Sequence, residues 1–175
     1  GTREDQAEEY DEVVLGTRGE PQRLVEQPHQ GDRRHQRGEQ RRRDLGAFFG
    51  SVHGTLNHLL LGDRIWMTRL EGGNHPSTDL GAILHEDFAA LRSARAAMDT
   101  RIEAFFSNLP PDFTAGTIRY VNNAGFVSED PLDVLLPHFF NHQTHHRAQV
   151  HTLLSQLGRD PPVLDLHRTL RPNPA

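Results

Sequence analysis

The sequence predicts an all-α fold, a helix bundle with one small β-hairpin before the last helix. Three stretches of the chain place apolar residues at steps of three and four, which is the spacing of an amphipathic helix. Between the second and third stretches, β-branched and aromatic residues flank a short turn, which favours two antiparallel strands. A fourth helix would have to come from residues 1–43, which contain few apolar side chains.

Composition limits the classes of protein to which the chain can belong. Its 175 residues suffice for one domain with its own core. The net charge of -5 argues against nucleic acid as the main partner. No apolar run approaches the ~18 residues of a membrane span, and no signal peptide is recognisable, so we expect a cytoplasmic protein. Because the chain has no cysteine, it has no disulfide and no thiol nucleophile of its own.

Residues 1–43 differ in character from the rest of the chain. The stretch "RGEPQRLVEQPHQGDRRHQRGEQRRR" is rich in Arg, Gln, Gly, His and Glu. Such a composition buries too little apolar surface to offset the loss of chain entropy, so we expect disorder or a marginal helix. We therefore assign residues 1–43 to a poorly ordered segment and residues 44–175 to the folded helical domain.

The first two amphipathic helices end at glycine or proline. Within residues 44–73, apolar residues recur at helical steps until a Gly-Gly pair interrupts the pattern. Within residues 77–109, the same spacing begins at Leu80 and stops before a Pro-Pro pair.

The hairpin and the last helix follow these two helices. In "DFTAGTIRYVNNAGFVSED" the turn is expected at NNAG. Ser128 or Asp130 is expected to cap the last helix, with Pro131 in its first turn. The helix then runs to Leu157, where Gly158 closes it, and the proline-rich tail is expected to pack as an extended strap.

Five of the chain's 12 histidines lie within residues 138–151. His142 and His146 are four residues apart, so both imidazoles lie on one helix face and can reach one ion at ~2.0–2.1 Å. His138 extends the same row one turn earlier, and His145 competes for the pairing with His142. By spacing alone, such pairs also arise by chance in a histidine-rich chain.

A third ligand would complete a metal site. His58 lies among leucines in the first amphipathic helix, and His53 is a less attractive choice. A histidine in an apolar run is also common as a hydrogen-bonded core residue, so spacing alone leaves both interpretations open. A three-histidine site would leave coordination positions for water or substrate, as reactive metal centres do.

Two motifs give the sequence a resemblance to a known family. "NHQTHHRAQ" resembles the pattern NHxxHHRGQ, and "TLNHLLLGDRIW" resembles TLNHLLxxDRxW, both from the DinB family of bacterial metal-binding helical bundles. The resemblance covers about residues 44–167, and the two motifs in this order and separation are specific. Ala148 replaces the family's glycine, Pro137 predicts a kink before the histidines, and residues 1–43 lack the aromatic-rich stretch of the family's first helix.

The resemblance implies a DinB-like four-helix bundle whose divalent metal is held by His58, His142 and His146. Zinc, nickel and iron all suit histidine ligands. His138 and His145 then become neighbours of the site rather than ligands. The remaining candidates for the pocket or for contacts behind the ligands are Asp63, Arg147 and Gln149. Asp63 and Arg147 suit an inter-helix ion pair, or hydrogen bonds to the ligands, better than acid–base roles.

Three functions follow as hypotheses, and no catalytic residue is assigned. Relatives in this family include transferases that use an external low-molecular-weight thiol, which implies a metal-dependent thiol transferase, or a hydrolase, acting on small molecules. A non-catalytic metal-binding stress protein would suit the family's damage-inducible name. A helical interaction module, with incidental histidines, is the third hypothesis. We expect a homodimer in each case.

Overall fold

The computed structural model describes residues 30–76 and 79–171. Its elements are α1 (Gln30–Arg42), α2 (Val52–Leu70), α3 (Phe88–Ser107), β1 (Thr117–Val121), β2 (Val127–Pro131), α4 (Leu132–Gln156) and α5 (Leu166–Leu170). The predicted helical bundle with a hairpin before its last long helix is therefore confirmed. Within the described ranges, none of the helices combines the length and the apolar character that a membrane crossing requires.

The central helix of the bundle is α2. It packs against α1, α3, α4 and β1, and most of its residues are buried. The core joins residues of three helices: Leu60, Met67, Leu70, Leu91, Met98, Leu132 and Phe139. Because α2 is enclosed by its neighbours, its polar side chains must find partners inside the fold.

Helix α2 has clear signals at both ends. The Ser51 side chain accepts a hydrogen bond from the Gly54 N–H at 3.1 Å, which satisfies one of the unpaired donors of the first turn. At the other end, Gly72 adopts a φ of +85° directly after the Glu71 cap, a conformation that glycine adopts without strain. The predicted stop at the Gly-Gly pair is confirmed.

Helix α3 begins at Phe88 and not near Leu80, so the predicted start was wrong. The Asp87 carboxylate caps the helix by accepting from the Ala90 N–H at 2.8 Å. The residues before it follow a different course because their backbone binds α2. The His85 N–H donates to Asn57 Oδ1 at 2.9 Å, and the Leu80 carbonyl lies against His58.

The hairpin forms as predicted, but the cap of α4 does not. Strands β1 and β2 pair antiparallel, and Gly125 takes a φ of +84° in the turn. Ser128 and Asp130 lie within β2, so neither caps the helix; Pro131 occupies the N-cap position. The Leu132 N–H instead donates to the Gly116 carbonyl at 2.9 Å.

The remainder of α4 agrees with its predicted bounds. The helix continues through Pro137, and the kink expected there stays a prediction. It closes at Leu157, with Gly158 at a φ of +68°. Beyond it, the short helix α5 occupies part of the tail that was expected to be extended.

Helix α1 lies within the segment that the sequence assigned to poor order. It packs against α2, and the Gln40 side chain accepts a hydrogen bond from Arg159. Residues 1–29 of that segment lie outside the described residues, so the prediction for them stays a prediction.

Candidate metal centre

Three histidines from two helices meet between α2 and α4. His58 Nε2 lies 3.2 Å from His142 Nε2 and 3.2 Å from His146 Nε2. One nitrogen of each ring lies within 4.8 Å of the others, and all three side chains are buried or half-buried. Helical spacing places His142 and His146 on one face of α4, and the packing of α2 against that face brings in His58.

The hydrogen bonds of the outer ring nitrogens fix the protonation of two of these rings. His58 Nδ1 lies 2.8 Å from the Leu80 carbonyl oxygen, and His146 Nδ1 lies 2.7 Å from Gln149 Oε1. Because both oxygens only accept hydrogen bonds, each Nδ1 carries the proton. The inner Nε2 atom of each neutral ring is therefore unprotonated. Its lone pair is directed at the space between the three rings.

This geometry fits a bound metal ion. Two lone pairs that face each other at 3.2 Å repel unless a proton or cation lies between them. Tetrahedral ligands with metal–nitrogen bonds of ~2.0–2.1 Å lie ~3.3 Å apart, close to the observed separations. Imidazole nitrogen is a ligand for zinc, nickel, iron and copper.

Two close contacts hold the rings in place. A Cβ atom at Gly62 would lie 2.8 Å from His142 Cε1, so the ring fits there only because residue 62 has no side chain. On the other side, the Phe49 ring stacks on the His58 ring, with 3.7 Å between centroids and 18° between planes. The His58 imidazole is thereby shielded from solvent on one face.

Burial favours the neutral, metal-binding form of all three histidines. Burial lowers the pKa of His58 and of His146, although the hydrogen bonds to Leu80 and Gln149 oppose the change. Burial, followed by the neighbouring histidines, lowers the pKa of His142 to about 4. At neutral pH the site therefore presents lone pairs rather than protons.

The neighbouring histidines lie beside the three-histidine cluster. The His138 ring is 6.2 Å from the His142 ring and 5.1 Å from Trp66, edge to face. His145 is exposed, and its Nε2 lies 3.1 Å from Gln149 Nε2. The side-chain amide of Gln149 therefore lies between two histidines. Its oxygen contacts His146 of the cluster and its nitrogen contacts His145.

Asp63 is fully buried on α2, and its ion-pair partner differs from the expected one. Its carboxylate accepts hydrogen bonds from Arg95 of α3 and from Gln143 of α4. Arg95 forms the close ion pair with Asp63 from the adjacent helix. Burial raises the pKa of Asp63, whereas Arg95 and Gln143 favour its charged form. The charge of the exposed Arg147 also lowers the pKa of Asp63, but its contribution is smaller.

Sequence reasoning missed four participants in this region: Phe49, the Leu80 carbonyl, Arg95 and Gln143. A backbone carbonyl carries no residue signal, and Leu80 was placed in a helix that would have occupied that oxygen. Gln143 follows His142 directly in the late motif, so the sequence could have indicated its place on α4 but not its partner Asp63. Arg95 and Phe49 depend on how separate elements pack.

The comparisons with known proteins give one match. The family model for the DinB family matches residues 37–174. No curated protein and no solved structure matches the chain.

Proposed function

The chain belongs to the DinB family, and from this we propose that it is a metalloprotein. Its divalent ion is bound by His58, His142 and His146. The bound ion supports transfer reactions of an external low-molecular-weight thiol. The observation that carries the metal assignment is that His58 Nε2 lies 3.2 Å from both His142 Nε2 and His146 Nε2. Two of these atoms are unprotonated because Leu80 and Gln149 hold the outer nitrogens.

The ligand count supports a reactive centre. Three protein ligands leave at least one coordination position for water or substrate, whereas structural sites fill four. When bound, a divalent ion lowers the pKa of a coordinated water or thiol and polarises a substrate oxygen. Because the chain has no cysteine, any thiol must come from outside the protein.

Metal analysis tests the first part of this proposal. The full chain is purified without affinity metals, and its zinc, nickel and iron are measured by mass spectrometry beside a His142→Ala variant. We expect close to one ion per chain in the natural protein and loss of that ion in the variant. His167→Ala, at an exposed position in α5, is the control and should keep its metal. Equal metal content in all three proteins would overturn the assignment.

Thiol-dependent turnover tests the second part. The metal-loaded protein is incubated with low-molecular-weight thiols and electrophilic small molecules, and the loss of free thiol is followed. Turnover that disappears in His142→Ala but not in His167→Ala supports the transferase. Metal binding without any thiol consumption would instead favour a non-catalytic metal-binding protein.

A further inference from the structure

A groove runs along α4 beside the metal cluster. Its volume is about 390 Å³, within the range of small-molecule sites. One wall is the loop before α2 and the other is one face of α4. The described residues that line it are Leu45, Gly46, Ala47, Phe48, His145, Ala148, Gln149, Thr152, Leu153 and Gln156.

The lining of this groove has an unusual composition for this chain. A quarter of the chain's residues are charged, yet the described lining residues include no Asp, Glu, Lys or Arg. A charged ligand entering the groove would lose hydration without gaining an ion-pair partner among these described lining residues. The polar groups that remain are amides, a hydroxyl and an imidazole, which suit hydrogen bonds to neutral groups.

The groove also offers a surface for a ring. Phe48 is 87% exposed, and its ring meets the Phe49 ring edge to face at 4.8 Å between centroids. A large aromatic side chain left in water is available to bury apolar area against a flat ligand. The half-buried Leu45 adds apolar surface to the groove, whereas Leu153 lies in its floor and is 2% exposed.

Both walls of the groove connect to metal ligands. Phe48 lines the groove, while the adjacent Phe49 stacks on His58. Gln149 lines the opposite wall, and its amide oxygen accepts from His146 Nδ1. A molecule in the groove therefore lies one side chain away from the cluster on either side.

We infer that this groove binds the uncharged, ring-bearing part of the substrate and holds it beside the metal centre. The assignment as a substrate site rests on the proposed function, but the binding preference follows from the groove itself. Binding can therefore be measured in metal-free protein.

Three probes with one ring system test the preference: indole, the anion indole-3-acetate and the cation tryptamine. Binding to the full chain is measured by calorimetry at pH 8, where histidine is neutral. We expect indole to bind at least about tenfold more tightly than either charged probe, because neither charge finds an ion-pair partner among the described lining residues. Equal affinity for the three probes, or no binding of indole, would overturn the inference.

Two threonines of α4 provide a matched pair of variants. Thr152 lines the groove and Thr144 does not; both are exposed, and both hydroxyls donate to the carbonyl four residues earlier at 3.1 Å. Thr152→Glu should weaken indole binding about tenfold, whereas Thr144→Glu should leave it unchanged. Similar effects of both variants would place the indole elsewhere. Dimer dissociation by Thr152→Glu, with no effect of indole on assembly, would show that a second chain fills the groove.

The outcomes separate this inference from the proposed function. Metal content is measured independently for every variant. If indole binds with the expected preference to a protein that never holds metal, the groove stands and the metal proposal fails. If the protein holds metal but the groove discriminates against none of the probes, the metal proposal stands and the inference fails.

Discussion

The imidazole of His142 lies directly over Gly62, so that a Cβ atom there would come within 2.8 Å of His142 Cε1. The contact joins the early motif on α2 to the late motif on α4. It requires a residue without a side chain at the point where the two helices bring the three histidines together.

Replacing Gly62 by Ala should therefore displace the His142 ring. Alanine favours the helix by about 1 kcal/mol, so the metal-free protein should remain folded, while metal affinity should fall roughly tenfold or more because one ligand is moved. Competition with a chromophoric chelator measures the affinity. Gly38→Ala in α1 is the control, since a Cβ there meets no atom within 4 Å. An unchanged affinity in Gly62→Ala would contradict the packing argument.

Chelation should lower the melting temperature of the natural protein at neutral pH. An ion that binds only the folded state stabilises it by about 2.7 kcal/mol at a free concentration one hundred times its Kd. His142→Ala and His146→Ala should abolish the difference between chelated and metal-loaded protein, as measured by thermal unfolding. His167→Ala should retain it. A chelator effect of equal size in the His142→Ala protein would place the stabilising ion elsewhere.

The free energy of unfolding of the metal-free protein should decrease as the pH is lowered from about 6.5 towards 4. Burial lowers the pKa of His142 from 6.5 to about 4 and lowers the pKa of His58 and His146 as well. Well above pH 6.5 neither the folded nor the unfolded state binds protons at these histidines, so they do not make stability depend on pH. As pH falls from 6.5 towards 4, the unfolded chain takes up protons that the folded state excludes, and stability is lost.

Urea unfolding at several pH values measures this slope. His142→Gln cannot take up the proton and should show a shallower decrease over the same window. Metal release should be centred below ~6.5 and be steeper than a single titration, because several protons compete with one ion. Identical pH profiles of the natural protein and His142→Gln would contradict the assigned cause.

The Gln149 amide should matter for metal affinity through the hydrogen bond to His146. Gln149→Leu removes the acceptor of the Nδ1 proton, and we expect affinity to fall about tenfold. Gln149→Glu keeps an acceptor oxygen and should restore most of it. Gln156→Leu makes the same substitution on the same helix, at a groove residue, and should have no effect on the metal. Equal losses in both leucine variants would indicate a general effect on α4.

Removing Arg95 should destabilise the bundle strongly. Arg95→Leu leaves the fully buried Asp63 carboxylate without its cation, which costs about 3 kcal/mol in the free energy of unfolding. Burial already raises the pKa of Asp63, so the loss should shrink at acidic pH as the carboxyl takes up a proton. Arg101→Leu removes a half-exposed pair with Glu71 and should cost under ~1 kcal/mol. Chemical unfolding of both variants measures the difference.

The sequence by itself determined the elements whose signals are local. The period of the apolar residues placed α2 and α4, and the NNAG turn between β-branched stretches placed the hairpin. The four-residue step from His142 to His146 put both rings on one face, because helix geometry follows from residue number alone.

Tertiary structure decided the partners. The His58 Nδ1 proton is held by the Leu80 carbonyl, which can accept it because α3 begins at Phe88 and not near Leu80. Asp63 is paired with Arg95 rather than Arg147, since the choice between two arginines depends on which helix faces the carboxylate. Such contacts join residues far apart in the chain, and their free energy depends on distance and burial, which no local period encodes.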